Sequence, residues 1–372
     1  MAERLAPPQV TSPGRAGTPA FEGATAGFAS MDPGAPGAHP EPLVHVLRFG
    51  LVESVHLGHA AVVDPSGRIL AWAGDPRVLV FPRSSFKPFQ ALPLVESGAF
   101  ERSGLGEDAL AIIAGSHSGT DGHAALVHTI LDAAGAGERD LRCGTHTPYD
   151  DPTAASLRAR GQKPGPLRHN CSGKHAGMLL LARFLGAPLE GYLDPDHPVQ
   201  RAIFSRFATL TGEAPTHVAV DGCSAPTPRM PLATLARGFA LLAAGADAEG
   251  RPVPALDRIR EAMRANPFQV AGEGRLDTRL MRAAPALVSK AGAEAVHATG
   301  VVGNPAGIAV KVGDGTRRAL APAVLSVLAE AGVLEPEARS VLHDLAEERL
   351  TNHAGIEVGA IRGIARLHRE AP

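Results

Sequence analysis

The sequence predicts an α+β fold in which strands from both ends of the chain complete one antiparallel sheet. Short runs of β-forming residues occupy 43–73, and helical periodicity dominates from 85 to about 283. Strand-like runs then return between 286 and 312 and again near the C-terminus. Because strands flank a helical middle, we expect helices to pack on the sheet and the middle to form a helical lobe.

The first 41 of the 372 residues are rich in Ala, Gly and Pro and show no regular spacing of apolar side chains. Such a segment buries too little apolar surface to fold, so it is predicted to be a disordered tail. Everything interpretable follows Met31, which is therefore a second candidate for the first residue. The rest predicts one domain over 42–368, with a sheet part at 42–84 and 285–368 and a helical lobe at about 85–284.

The N-terminal part predicts an antiparallel meander, since the turn sequence Asp-Pro-Ser-Gly at 64–67 interrupts a series of short β-rich runs. The predicted strands are 43–49, 52–56, 58–63 and 68–73. Helical spacing of apolar residues then takes over, as at Val199, Ile203, Phe207 and Leu210, which share one face. The predicted helices are 87–98, 107–114, 121–134, 174–186, 198–211, 231–244 and 255–265. The C-terminal part predicts strands at 286–290, 295–302 and 307–312, helices at about 318–331 and 336–349, and a last strand at 356–361.

Composition and charge exclude several classes of protein. A formal net charge of −2 argues against a nucleic-acid or anionic-membrane partner. The longest apolar runs, such as 178–185, are too short to span a bilayer, and the N-terminus lacks the apolar core of a signal peptide. We therefore expect a soluble, cytoplasmic protein. Three cysteines cannot form a disulfide framework in so long a chain, so they are expected to be buried, catalytic or metal-binding.

The lysines are unusually few. The 36 basic residues comprise 31 Arg and five Lys. An ammonium loses its proton far more readily than a guanidinium, so a remaining Lys is expected where Arg cannot replace it. The five are Lys87, Lys163, Lys174, Lys290 and Lys311.

The first candidate for chemistry is the Ser-x-x-Lys spacing of Ser84 and Lys87 at the start of a predicted helix. Residues three apart share a helix face, so a neutral Lys87 could take the proton of the Ser84 hydroxyl. A helix N-terminus also offers backbone N–H groups to a developing oxyanion. The alternative is an ordinary exposed helix start.

Two further segments follow the same logic. Ser116 lies in a small polar loop at 115–120, which alone could simply cap the next helix. Lys290 ends a strand-like run before Ala291 and Gly292, which alone could be a solvated strand end. In order, the three motifs resemble the S-x-x-K, S-x-N and K-[ST]-G motifs of serine β-lactamases and penicillin-binding proteins. Lys311 also precedes a glycine by two residues on a strand and is a rival of Lys290.

Two Gly- and Ser-rich loops carry Cys171, Lys174 and Cys223. Two thiolates and a nitrogen donor could hold zinc with a fourth position open to water. Lys is an unusual ligand because it must first lose a proton, and His175 is an adjacent competitor. The alternative is two buried free thiols beside a helix entrance.

The chain resembles the L-asparaginase II family of the rhizobial type. The resemblance runs from about 43 to 364 and rests on the segments RSSFKPFQALPLVESGAF, GSHSGTDGHA, NCSGKHAGML, DGCSAPTPRMPL and GNPAGIAVKVGDG. It implies a fold similar to serine β-lactamases and glutaminases, and hydrolysis of L-asparagine. It also implies two Ser-Lys pairs and three zinc ligands. The pairs are Ser84 with Lys87 and Ser116 with Lys290, and the ligands are Cys171, Lys174 and Cys223.

The expected mechanism begins with attack of Ser84 on the side-chain amide while neutral Lys87 accepts its proton. Lys290 and Ser116 would pass the proton to the departing ammonia, and water would hydrolyse the acyl-enzyme. The reverse assignment makes Ser116 the nucleophile and Lys290 the base. Arg83 is expected to bind the substrate carboxylate and Asp221 the α-amino group, although each could be merely structural.

Three alternatives to an asparaginase function remain. A glutaminase or β-lactamase-like hydrolase would share Ser84 and Lys87 but would not need the NCSGKH and DGC segments. A non-catalytic binding module on the same fold is the third. The expected small-molecule partner is L-asparagine, and the expected assembly is a homodimer.

Overall fold

The computed structural model describes residues 39–369, so the predicted tail and Met31 lie outside the described part. Eight strands form one antiparallel sheet in the order β10-β11-β1-β2-β9-β8-β7, with β3 also paired to β2. The remaining three strands form a small separate sheet in the order β4-β6-β5. The strands are β1 (Glu41–Arg48), β2 (Leu51–Val63), β3 (Ile69–Ala73), β4 (Leu79–Val80), β5 (His217–Val220), β6 (Pro226–Pro231), β7 (Leu287–Ala291), β8 (Val296–Val301), β9 (Ala306–Val312), β10 (Glu347–Thr351) and β11 (Glu357–Gly363).

Helices cover both faces of the large sheet. Those of the central part of the chain are α1 (Lys87–Glu96), α2 (Ala99–Ser103), α3 (Glu107–Ile113), α4 (Asp121–Ala134), α5 (Asp151–Ala159), α6 (Ser172–Phe184), α7 (Pro198–Thr211), α8 (Leu232–Ala244), α9 (Pro254–Ala265), α10 (Pro267–Val270) and α11 (Leu276–Ala283). The C-terminal helices are α12 (Leu320–Glu330), α13 (Pro336–Val341) and α14 (His343–Ala346).

The sheet separates two apolar cores, because successive side chains of a strand point to opposite faces. In β2, Ala61 and Val63 belong to the core shared with the central helices. Ala60 and Val62 belong to the core shared with α12 and α13. The predicted α+β class, with one antiparallel sheet built from both ends and flanked by helices, is confirmed.

Two glycines, Gly58 and Gly307, allow neighbouring backbone segments to pack closely against the strands of the large sheet. The predicted strands 52–56 and 58–63 form the single strand β2, because Gly58 does not turn the chain. A Cβ atom at Gly58 would lie 2.3 Å from the Lys311 carbonyl oxygen, so this glycine lets β9 approach. At Gly307 a Cβ atom would lie 1.7 Å from the Ala236 carbonyl oxygen, so α8 packs directly on the backbone of β9.

One element differs in type from its prediction. The helix expected near 336–349 ends early, and Glu347–Thr351 forms the edge strand β10. Its Glu-Glu-Arg-Leu sequence favours a helix locally, but pairing with β11 overrides this preference. Ion pairs between Glu347 and Arg362 and between Arg349 and Glu357 cross the two strands.

The helical lobe also contains structure that periodicity did not indicate. The small sheet places β5 and β6 inside the predicted helical region. The short helices α2, α5, α10 and α11 were also not predicted. Within residues 39–369, none of the helices has the length and apolarity needed to cross a bilayer.

Candidate active site

Ser84 lies in a turn that is held tightly at the entrance to α1. It belongs to a 3-10 helix, Arg83–Phe86, that runs directly into α1. Ser85 donates a hydrogen bond from Oγ to the Lys290 carbonyl oxygen at 2.9 Å, which ties this turn to β7. A Cβ atom at Gly292 would lie 2.6 Å from the Pro82 carbonyl oxygen, so the glycine lets the end of β7 approach.

The three lysines that the sequence singled out are the buried ones. Lys87, Lys174 and Lys290 are 1%, 3% and 0% exposed. Lys163 is exposed and Lys311 is half-buried. Burying an amine is costly unless it is paired or neutral, so each of the three needs an account of its partners.

Lys87 contacts the second serine rather than the first. Its Nζ lies 2.8 Å from Ser116 Oγ, 2.6 Å from the Gly115 carbonyl oxygen and 3.2 Å from the Asn170 carbonyl oxygen. Ser84 makes no side-chain hydrogen bond to Lys87 in the described part of the chain. Burial lowers the pKa of Lys87. A neutral amine would donate its two N–H groups to the carbonyls and keep its lone pair for the Ser116 hydroxyl.

Lys290 contacts the buried carboxylate of Asp277 and not Ser116. Its Nζ donates to the Ala291 carbonyl oxygen at 2.7 Å and lies 3.6 Å from Asp277 Oδ2. Burial, only partly offset by the charge of Asp277, lowers the pKa of Lys290 to about 8. The ammonium of Lys87 contributes in the same direction as burial.

Asp277 was missed by the sequence analysis. It accepts hydrogen bonds from Ser289 Oγ at 2.8 Å and from the Ala291 backbone N–H at 2.9 Å, and His297 Nε2 lies 3.2 Å away. Burial would raise its pKa, but the charge of Lys290, the interaction with His297 and the Ala291 N–H together outweigh this and hold the pKa well below its usual range. No motif marks Asp277; the one available signal was that a buried Lys290 requires a carboxylate.

Arg83 and Asp221, predicted to hold opposite ends of the substrate, bind each other. Arg83 Nε lies 2.5 Å from Asp221 Oδ1. Arg83 has φ +51°, in the left-handed region that few side chains adopt, so its backbone is strained. Burial would raise the pKa of Asp221, but Lys174 and Arg83 together lower it.

Cys171, Lys174 and Cys223 meet beneath this ion pair. Lys174 Nζ lies 2.9 Å from Cys223 Sγ, and Cys223 Sγ lies 3.6 Å from Asp221 Oδ2. The neighbouring Cys223 side chain lowers the pKa of Cys171 well below its usual value. Although burial lowers the pKa of Lys174, the two sulfurs raise it overall. The buried Nε2 atom of neighbouring His175 has no hydrogen-bond partner in the described part of the chain.

The two sulfurs of Cys171 and Cys223 and the amine of Lys174 are donor types that zinc accepts once the amine has lost its proton. Considering only His, Cys, Asp and Glu, residues 39–369 contain no group of three or more arranged to hold a metal. The predicted set has two residues of these types, and Lys174 is its third member. The remaining cysteine, Cys143, is buried, and burial raises its pKa to about 12.

Both serines line one cleft of about 300 Å³. Lys87 and Lys290 lie behind its wall, while Arg83, Asp221 and the three predicted zinc ligands do not line it. The volume suits a small polar molecule of amino-acid size. The polar side chains of the wall are Ser84, Ser116, Tyr149, Asn170, Arg275, Glu294 and Arg317.

Comparison with known proteins assigns the chain to a protein family. More specifically, the chain belongs to the L-asparaginase II family, whose family model matches residues 44–363. The resemblance identified from the sequence is thereby confirmed. A search of curated proteins returned no match.

Several solved structures show similarity at low identity. Native Mglu is 18% identical with a TM-score of 0.40, and the alignment covers 73% of this chain and 64% of that one. Native Mglu in 4.3 M NaCl is 17% identical with a TM-score of 0.43, and the alignment covers 75% of this chain and 61% of that one. A putative β-lactamase from Bacteroides dorei is 12% identical with a TM-score of 0.36, and the alignment covers 79% of this chain and 95% of that one. This chain spans less than two thirds of the length of the Mglu structures, and TM-scores below 0.5 carry no argument about activity.

Proposed function

We propose that the protein hydrolyses the side-chain amide of L-asparagine to give L-aspartate and ammonia through a serine acyl-enzyme. Family membership supports the reaction class. The observation that carries the proposal is the 2.8 Å contact between the amine of Lys87 and the Ser116 hydroxyl, at a cleft that Ser84 also lines. A buried base beside a hydroxyl that lines a cleft is the arrangement that serine nucleophiles require.

In this proposal Ser84 is the nucleophile. Its Oγ attacks the amide carbon, and Ser116 passes the released proton to the lone pair of Lys87. The ester bond forms as the carbon–nitrogen bond breaks, and the departing nitrogen takes a proton from Lys290. Water then hydrolyses the ester to aspartate. Two neighbouring ammonium groups repel each other, which favours one neutral and one protonated lysine near neutral pH.

The alternative nucleophile is Ser116, which a specific contact favours. Ser116 touches Lys87 directly, whereas Ser84 reaches no base by a hydrogen bond of its own in the described residues. The contact also pairs Ser116 with Lys87 and not with Lys290, the base expected for it from the sequence. The two assignments differ in which serine carries the acyl group.

Trapping the acyl-enzyme decides between them. Ser84→Ala, Ser116→Ala and the control Ser103→Ala are mixed with asparagine, quenched with acid and examined by mass spectrometry of the intact protein. We expect the aspartyl adduct in the control, a more slowly formed adduct in Ser116→Ala because the proton relay is lost, and no adduct in Ser84→Ala. An adduct retained in Ser84→Ala assigns the nucleophile to Ser116. Absence of turnover and adduct in the wild type contradicts the reaction itself.

A substrate panel tests the alternatives to asparagine. Ammonia release is measured with asparagine and glutamine, and nitrocefin hydrolysis is followed by absorbance. Preferred hydrolysis of asparagine supports the proposal, preferred hydrolysis of glutamine indicates a glutaminase, and nitrocefin turnover indicates a β-lactamase-like enzyme. No turnover of any of them indicates a binding module.

We also propose that Cys171, Lys174 and Cys223 hold zinc. Bound there, the ion would play a structural role, because its ligands would join the start of α6 to the turn carrying Asp221. The start of α6 directly follows Asn170, whose carbonyl oxygen contacts Lys87. Zinc would thus fix the loop that orients the base.

Finally, we propose a homodimer. The hairpin between β1 and β2 exposes Phe49 and Leu51, which are 93% and 75% exposed, beside the partly exposed Val52. Clustered apolar side chains of this kind mark interaction surfaces. Sedimentation equilibrium should give twice the chain mass, and a monomer at micromolar concentration would contradict the proposal.

A further inference from the structure

Two guanidinium groups of the cleft wall contact an aromatic ring but no hydrogen-bond acceptor among the described residues. Arg275 and Arg317 both line the cleft, and neither donates a side-chain hydrogen bond or forms an ion pair within residues 39–369. Their guanidinium carbons lie 4.9 and 5.6 Å from the centre of the Tyr149 ring. Arg317 is exposed and therefore hydrated, whereas Arg275 is half-buried.

Arg275 is the less ordinary of the two. Its Nη1 atom is buried and has no hydrogen-bond partner in the part of the chain that the structure describes. Burial lowers the pKa of Arg275, and the nearby charge of Arg317 adds to this effect. The nearest buried carboxylate, Asp277, is already engaged by Lys290, Ser289 and the Ala291 backbone N–H. A buried donor without an acceptor destabilises the folded state, so a ligand that supplies the acceptor would be bound strongly.

We propose that Arg275 binds the α-carboxylate of the substrate. This inference rests on the proposed function and deepens it, because a carboxylate fork is the acceptor that a planar guanidinium matches best. Arg275 replaces Arg83 in this role, since the guanidinium of Arg83 is already bound to Asp221. The substrate class is therefore an asparagine with an unblocked α-carboxylate, and asparagine inside a peptide is excluded.

The position of Arg275 also links binding to chemistry. It precedes α11, and Asp277, the carboxylate that holds Lys290, lies two residues further along. Arg275, which would bind the carboxylate, therefore belongs to the same segment as Asp277, which sets the position and charge of Lys290. Tyr149, which packs against both arginines, forms the apolar side of the same subsite. Arg317 at the rim adds positive charge that attracts the anion.

The test compares asparagine with 3-aminopropanamide, which is asparagine with hydrogen in place of the α-carboxylate. Ammonia release is measured for wild type, Arg275→Gln, Arg275→Lys and the control Arg282→Gln, which loses only a surface ion pair of the same helix. We expect Arg275→Gln to lower kcat/KM for asparagine about 100-fold and to leave that for 3-aminopropanamide within about twofold. Arg275→Lys should retain part of the activity because it keeps the charge but loses the fork.

Two further measurements keep the inference separate from the reaction. Calorimetric titration with L-aspartate tests carboxylate binding without turnover, and we expect Arg275→Gln to weaken it about 100-fold. Thermal unfolding of Arg275→Gln should occur no lower than in the wild type, because a buried unpaired donor is removed. Equal losses on both amides together with a lower unfolding temperature would assign a structural role and overturn the inference.

Unchanged aspartate binding in Arg275→Gln would overturn it as well, whatever the turnover. A wild type that binds aspartate through Arg275 but releases no ammonia would contradict the proposed reaction while supporting the carboxylate subsite.

Discussion

Asp277→Asn offers a sensitive test of how Lys290 works. The substitution removes a negative charge 3.6 Å from the Lys290 amine and keeps the shape of the side chain. At an effective dielectric constant of about 20, that charge pair is worth about 5 kcal/mol, an upper limit of about three pKa units. Relaxation of the surroundings and the dipole of the introduced amide offset part of the lost interaction energy. We therefore expect the pKa of Lys290 to decrease by at least about one unit. The pKa of Lys290 therefore falls from about 8 toward neutrality.

The sign of the effect on activity depends on the role of Lys290. If its ammonium protonates the departing ammonia, activity is lost as pH rises through this pKa, and the alkaline limb of kcat/KM moves to lower pH in Asp277→Asn. If its neutral amine is the base, activity appears as pH rises, and the acid limb moves to lower pH instead. Our mechanism predicts the alkaline limb.

The assay is ammonia release from asparagine across the pH range over which the fold is stable, confirmed by near-ultraviolet circular dichroism. Asp344→Asn is the matched control, since Asp344 forms a surface ion pair with Arg279. It should leave both limbs unchanged. Both limbs of Asp277→Asn staying within about 0.3 unit of wild type, or either limb moving upward, would refute the electrostatic coupling of Asp277 to Lys290.

Three other perturbations have defined outcomes. Lys87→Ala should lower kcat for ammonia release at least about 1,000-fold because the buried base is lost, and Lys163→Ala should not; turnover preserved in Lys87→Ala would contradict the mechanism. Dialysis against a chelator should reduce activity and thermal stability together, and adding zinc should restore both. Cys223→Ser should abolish zinc retention, measured by elemental analysis. Complete and irreversible loss of turnover on dialysis would point instead to a catalytic ion. Gly307→Ala should destabilise the fold by more than about 2 kcal/mol in urea unfolding, since its Cβ would meet the backbone of α8, whereas Gly122→Ala has open space and should not. An unfolding midpoint of Gly307→Ala equal to that of wild type would show that α8 can move away at little cost.

Local patterns were sufficient for most of the fold. The apolar stripe of α7, with Val199, Ile203, Phe207 and Leu210 all buried, follows directly from spacing. The strand Glu347–Thr351 was not predictable in the same way, because its local preference is helical and its pairing partner β11 supplies the hydrogen bonds. Such pairing depends on residues beyond the local window.

For the candidate site, the sequence by itself determined which residue types matter. Scarcity of lysine separated Lys87, Lys174 and Lys290 from the rest, and burial sets the same three apart. A lysine amine, unlike a guanidinium, can lose its proton when it is buried.

Tertiary structure alone decided the partners. It brings Lys87 to Ser116, Lys290 to Asp277 and Arg83 to Asp221, and it leaves Arg275 without an acceptor. The physical reason is that burial can be inferred from local periodicity, whereas the charge state of a buried group depends on which distant side chains the fold places within a few ångströms of it.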